Sequence, residues 1–366
     1  MSKYTLKNNP QIDQDIEYDL KYVVSAIDAS ELEYSSIYLI GGFGRGEGTV
    51  KFIGNRWRAV NDYDLVVIAS DCTKHKSYLK RLSIELAELF QVDFVDLGCI
   101  QRDALPKLLP TMQNYDFKYG SMLLAGQDLL HEIPNFQCGY LPPYEMVRLL
   151  CNRSAGLLTA ILPEHAGSLS YLTNQLVKAC IAIGDLTVYL LKGYHHSYQV
   201  RSETFDSIIS ENNLPFELSG EAIDAVHKAY KAKLKGPCSF PFSIDESLMR
   251  FMIFKAYCAI ASYCMNKTLN TVSEAEKELR RYFRKNNLYK QFLMNGIRTL
   301  RKMDIDCLDD IKNKVLFAQP FFYCNLGTNS ILWQFEYLRR FWFVPGALKL
   351  RWGLISAVKL WEKFHH

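Results

Sequence analysis

Apolar residues recur at helical spacing between residues 14 and 33, where Ile16, Leu20, Val23, Val24 and Ile27 fall on one face. The pattern then shifts to short extended runs. Ile37-Tyr38-Leu39-Ile40 reads as a strand entering the glycine-rich stretch Gly41-Gly42-Phe43-Gly44-Arg45-Gly46-Glu47-Gly48. Val50 to Val60 reads as a small hairpin turning at Gly54-Asn55. Residues 63–68 give a second apolar strand, 74–90 an amphipathic helix, and 91–97 a third strand. Residues 114–130 add a helix and the segment Tyr119 to Gly126. This order of strand, hairpin, strand, helix and strand predicts an α/β (α+β) domain, a small mixed sheet with helices packed on it.

Cys138-Gly139-Tyr140-Leu141-Pro142-Pro143 reads as a linker. Beyond it the apolar spacing is helical over 144–161, 169–193, 219–233, 245–266, 273–284 and 287–302. The expected division is therefore a sheet domain at 1–137 and an all-helical domain at 138–366, with Gly236 to Pro241 as a subdivision of the second. No internal repeat is visible. No run of 18 uninterrupted apolar residues occurs, so no membrane-spanning helix is expected.

Composition changes this picture only modestly. A chain of 366 residues suffices for two or three domains, and 49 % apolar content is ordinary for a globular protein. A formal net charge of +4 carries no global field of the kind nucleic-acid binders use. The ten cysteines include no CxxC pair, which argues against a zinc ribbon, and several lie in apolar helical runs. The first ten residues carry no apolar signal segment; with thiols expected mostly free, the compartment expected is the cytoplasm.

The chemistry concentrates between residues 37 and 96. Asp62 and Asp64 sit two apart on a strand, so their side chains point the same way, about 6.6 Å apart. Two like charges held that close call for a cation between them, and hard oxygen ligands suit Mg²⁺. The glycines at 41, 42 and 44 allow a polyphosphate to approach the backbone without a Cβ in the way. Asp93 and Asp96 are three apart on the third strand and face opposite sides, so only one can join the pair. Asp93, following Val92 near the strand start, is favoured. Arg45 stands in the turn, where its fork suits phosphate oxygens or solvent equally, and Glu47 is expected to be exposed. The stretch lacks Gly-Lys-Ser/Thr, so it is no P-loop. No helical run with an acidic residue about 20 on follows it, which disfavours a dinucleotide fold.

Gly41-Gly42, a spacer, Asp62-Tyr63-Asp64-Leu65 and then Asp93 on a later strand resemble the DNA polymerase beta-type nucleotidyltransferase superfamily. The likeness covers roughly residues 35 to 130. Within it, Gly44-Arg45-Gly46-Glu47-Gly48 is similar to small bacterial minimal-type enzymes. The resemblance implies transfer of a nucleoside monophosphate from an NTP to an acceptor, with pyrophosphate released. Asp62 and Asp64 would bind two Mg²⁺ ions, Asp93 would bind the catalytic one and assist deprotonation, and Gly41 and Gly42 would hold the triphosphate. Nineteen residues separate Gly42 from Asp62, longer than the family's usual spacer, and the 50–60 hairpin is expected to absorb the excess.

In the helical half, Lys178 and Asp185 lie seven apart on one face of a mostly apolar helix. The superfamily similarly uses a helical-domain lysine, so Lys178 is a candidate for the triphosphate. Asp185, Asn152 and Arg153 are candidates for an acceptor pocket, the active site being expected in the cleft between the domains. The bland reading is an internally paired or exposed stripe. His195-His196 lacks the further spacing that zinc would need and reads as a helix-ending loop. Residues 333–363 mix aromatics with basic residues, a pattern of core-facing helices with snorkelling cations, of a membrane interface or of a docked partner. The near-neutral charge favours a small-molecule or sugar acceptor over a protein hydroxyl or a tRNA end. The rival from another class is a non-catalytic nucleotide-binding or sensor module that keeps the same fold.

Overall fold

Asn9 starts the first helix, α1 (Pro10–Asp28): its side chain accepts the N–H of Gln11 at 3.0 Å, and Pro10 fits the first turn, where its missing donor would have had no partner. The structure is a computed structural model that describes residues 2–60, 62–137, 141–160, 169–235, 242–279, 281–282 and 323–324. The interruptions at 138–140 and 236–241, the expected helix at 287–302 and the aromatic-basic stretch at 333–363 lie outside the described residues.

After α1 come β1 (Tyr34–Leu39), a one-turn helix α2 (Gly41–Gly44), β2 (Val50–Ile53), β3 (Arg56–Ala59), β4 (Asp62–Ala69), α3 (Cys72–Phe90), β5 (Phe94–Gln101), α4 (Met112–Tyr119) and β6 (Met122–Gly126). Four strands form one sheet in the order β5-β4-β1-β6, in which β4 runs parallel to β5 while β1 is antiparallel to both of its neighbours. This is a mixed sheet with helices against it, the α/β class expected from the patterning. The parallel pair needs a crossover, and α3 supplies it.

The hairpin β2–β3 stands apart as a two-stranded sheet. Gly54 and Asn55 both take positive φ, 58° and 66°, the conformation a two-residue hairpin turn demands. The Val60 N–H donates to Thr49 C=O at 2.9 Å, so the long spacer closes on itself and the chain re-enters the sheet near where it left.

One apolar cluster holds this part together. Ile12, Ile16, Leu20, Val23 and Ile27 of α1 and Leu79, Leu82, Leu86 and Phe90 of α3 join Ile37, Leu39, Leu65, Val67 and Val95 of the sheet. Each such side chain contributes about 1.5–3 kcal/mol by leaving water. Tyr63 points into this core, and its hydroxyl donates to Asp19 of α1 at 3.0 Å. Arg56 donates to the other Asp19 oxygen at 2.7 Å. Burial pushes the Asp19 carboxyl up, with Arg56 and Tyr63 opposing it.

Beyond residue 142 the described elements are helical: α5 (Pro143–Ala160), α6 (Leu169–Lys192), α7 (Tyr198–Ser210), α8 (Gly220–Lys235) and α9 (Glu246–Met265), then residues 272–279. The chain divides into two compact units. One comprises 1–142, 192–206 and 230–240, and the other 143–191, 207–229 and 241–366. Within the second unit α5 packs on α9. α6 is buried without interruption from Ala179 to Tyr189, the all-round burial of an interior helix. Tyr171–Lys192 and Glu246–Met265 are nonetheless long and apolar enough to cross a bilayer by length and composition. The run criterion passed over them because charged residues such as Lys178 and Lys255 break the apolar series while the average stays high.

Three expectations change. The third strand begins at Phe94, because Gln91 ends α3 in the left-handed conformation (φ 56°) and residues 92–93 bend before pairing starts. Helix α7 falls where no helix was expected; its inner face is Arg201, Phe205 and Ile208, and an arginine at the head of that face hides the apolar period. Against the expectation of mostly free thiols, Cys72 and Cys99 form a disulfide across 27 positions, since α3 folds back against β5 and brings their Cα atoms within 5.7 Å. Closing a loop of that length restricts the unfolded chain by roughly 3 kcal/mol. Cys99→Ser is therefore expected to lower the unfolding midpoint of the oxidised protein, and dithiothreitol to bring the wild type down to the same value; equal midpoints for oxidised wild type and variant would show that the bond does not form in solution.

Candidate functional site

β1 and β4 are antiparallel, so the end of one lies beside the start of the other. Leu39 pairs with Leu65, and the Ile40 N–H donates to Asp64 C=O at 2.9 Å. The glycine stretch that continues β1 is thereby delivered to the acidic end of β4. Gly41 takes φ +65°, and a Cβ built there would collide with Oδ2 of Asp64. Glycine is needed twice over at this position, for the backbone and for the contact. The turn is a short helix with no side-chain cap at its N-terminus.

Asp62 and Asp64 share one face of β4 while Tyr63 occupies the other, as the alternation requires. On β5, Asp96 stands in register with Asp64 across about 4.8 Å of strand spacing, and Phe94 stands opposite Asp62. The third acidic position beside the pair is thus Asp96, not Asp93. Asp93 precedes β5 and has no place in the ladder, because residues 91–93 turn away after α3 and β5 starts later than the apolar run implied. Burial raises the Asp64 carboxyl from 3.8 to about 6, and the charges of Asp62 and then Asp96 push the same way, against Lys233 and Arg45.

Among the described residues, no group of three or more His, Cys, Asp or Glu side chains is arranged to hold a metal ion. The donor set still suits Mg²⁺, which is usually bound through one or two carboxylates, with substrate phosphates and waters completing its shell. Asp62 and Asp64 offer two such carboxylates on one strand face, Asp64 raised by burial first and by its acidic neighbours second.

Glu47 is buried rather than exposed as expected, and Arg45 is buried beside it. The Arg45 side chain is 6 % exposed; its Nε meets Glu47 at 3.3 Å and its Nη1 meets Asp116 at 3.2 Å. Its fork pairs with two carboxylates of the protein. Glu47 is 3 % exposed and accepts from Ser197 Oγ (2.6 Å), Tyr198 N–H (3.0 Å) and Gln199 N–H (3.0 Å). Burial alone would raise its carboxyl, but those hydrogen bonds and the Arg45 charge outweigh it and hold it below the ordinary range. The segment 194–198 frames this network: Tyr194 donates to Asp116 at 3.1 Å, and Arg201 lies over the Tyr198 ring at 4.2 Å. Burial, then neighbouring His195 and Arg45, lower His196 to about 4, so it is neutral at physiological pH.

Lys233, near the end of α8, escaped the sequence reading. Its charge acts on Asp64, its Nζ lies 5.5 Å from the Tyr198 ring centre, and its carbonyl accepts from Thr49 Oγ1 at 3.0 Å just past the glycine stretch. No local signal marks it among the neighbouring Lys231 and Lys235. Lys178 and Asp185 on α6, and Asn152 and Arg153 on α5, belong to the second unit, where Asp185 is 4 % exposed.

No family model matches the chain, and no curated protein matches it. Among solved structures, the chain is similar to a spectinomycin adenyltransferase from Enterococcus faecialis solved with ATP and spectinomycin. The likeness has 13 % identity and a TM-score of 0.38, and covers 64 % of this chain and 97 % of that one.

The electrostatics of Asp64 make a stability prediction. Its folded midpoint lies above its unfolded one, so the penalty is absent below about pH 3.8, grows as pH rises and is complete above about pH 6. In chelator-treated protein, Asp64→Asn is expected to raise unfolding free energy at pH 8 by up to about 3 kcal/mol and to change little near pH 4. Denaturant titrations at the two pH values measure this; a gap that does not widen with pH rejects the raised Asp64 midpoint. Gly41→Ala is expected to destabilise by about 1–3 kcal/mol in the same assay, for its strained φ and its collision with Asp64.

Proposed function

We propose that this chain transfers the nucleoside monophosphate of an NTP to a hydroxyl acceptor and releases pyrophosphate. The observation that carries the reading is the packing of Gly41 onto Asp64, beside Asp62 on the same strand face and Asp96 in register on the next strand. Asp62 and Asp64 would hold Mg²⁺, which when bound stabilises the leaving pyrophosphate and activates the acceptor oxygen. Gly41 and Gly42 keep the backbone open to the phosphates. Lys233, already acting on Asp64, supplies a point charge for the triphosphate. Asp96 is exposed, which suits it to take the proton of an incoming hydroxyl. A net charge of +4 supports a small-molecule acceptor over a nucleic acid.

The test is pyrophosphate release from each NTP with Mg²⁺ and a panel of small hydroxyl compounds, following label into the acceptor. Asp64→Asn and Asp96→Asn are each expected to slow transfer by about 100-fold or more, and Asp93→Asn to stay within about twofold of wild type. Transfer by Asp64→Asn at the wild-type rate rejects the mechanism. Loss in Asp93→Asn with Asp96→Asn unaffected returns the third role to Asp93.

A further inference from the structure

The Glu47 carboxylate reaches from the glycine stretch to the first turn of α7, 150 to 152 positions later in the chain. Helix capping alone does not require it. Ser197 already caps α7 in the ordinary way, its Oγ accepting the Val200 N–H at 3.1 Å. Glu47 adds a second, distant acceptor for the N–H groups of Tyr198 and Gln199. What that arrangement constrains is the glycine stretch. The Glu47 N–H donates to Gly42 C=O at 2.8 Å and the Gly48 N–H to Tyr4 C=O at 2.9 Å, so displacement of Glu47 is transmitted to Gly42. Arg45 braces the same turn from its other side through Glu47 and Asp116, and Asp116 is itself held by Tyr194. The turn is therefore clamped between α4 and the start of α7, with Gly41 left against Asp64 at its open end.

We propose that Glu47 is a positioning residue that holds the Gly41–Gly44 backbone in register with the Asp62–Asp64 face, and so sets the affinity for the triphosphate. This rests on the nucleotidyl-transfer reading above. Glu47 touches neither nucleotide nor metal in this scheme and acts through the turn. Loss of its charge loosens the seat of the phosphates while Asp62, Asp64 and Asp96 keep their places on the strands. Binding should weaken more than the chemical step.

The experiment compares wild type, Glu47→Gln, Asp64→Asn and Leu20→Ala, the last a buried α1 substitution that lowers stability away from the turn. Glu47→Gln is expected to raise KM for the NTP by about tenfold with kcat within about threefold, and to speed amide exchange across residues 41–48. Leu20→Ala is expected to lower the melting temperature and leave KM unchanged. A KM within about twofold of wild type in Glu47→Gln overturns the positioning role. So does an equal KM rise in Leu20→Ala, which would make the effect one of general stability. If those results accompany loss of transfer in Asp64→Asn, the transfer reading stands and the positioning role alone falls. Wild-type protein inert with every NTP and Mg²⁺ overturns both.

Discussion

The side chain that residue 41 lacks is the space that the Asp64 carboxylate fills. Most of the candidate site follows from that contact. The antiparallel pairing of β1 with β4 puts the exit of one strand beside the entry of the other, and the Ile40-to-Asp64 backbone bond fixes their separation. The glycine turn then has nowhere to go but over the acidic end of β4. The parallel pairing of β4 with β5 adds Asp96 alongside, and Tyr63, tied to Asp19, locks which face of β4 the acids present.

Two acidic side chains a few residues from this contact have opposite electrostatic fates. Burial opposes ionisation of both, yet the Glu47 carboxyl is held low while that of Asp64 is raised to about 6. The difference is in the partners. Glu47 is met by backbone donors, a serine hydroxyl and an arginine. Asp64 is met by two other carboxylates, with Lys233 and Arg45 offsetting them in part. One cluster is complete within the protein and serves as a brace. The other carries an excess of negative charge, the condition under which a divalent cation and its phosphates bind favourably.

Much of the sheet unit could be read directly. The hairpin at Gly54-Asn55 follows from two residues that tolerate positive φ, and α1 and α3 from amphipathic spacing, though their caps at Asn9 and Asp71 start each helix earlier than that spacing implied. Helix α7 could not be read, because a buried arginine stacked on tyrosines stands where the period calls for an apolar side chain. The Cys72–Cys99 bond was equally silent, since cysteine spacing says nothing of which helix will lie along which strand.

The amino-acid sequence by itself determined the local chemistry: glycines at a strand exit, and two carboxylates on one strand face, because the twofold period of a strand is a property of the backbone. The register that sets Asp96 rather than Asp93 beside Asp64, and the approach of the Lys233 charge to Asp64, were decided by the tertiary structure alone. So was the turning inward of Arg45 and Glu47 to brace the start of α7. Each depends on register or on contacts between segments far apart in the chain. A shift of one residue in where β5 begins to pair exchanges the faces of every side chain along it, and no local pattern of apolar residues resolves a shift that small.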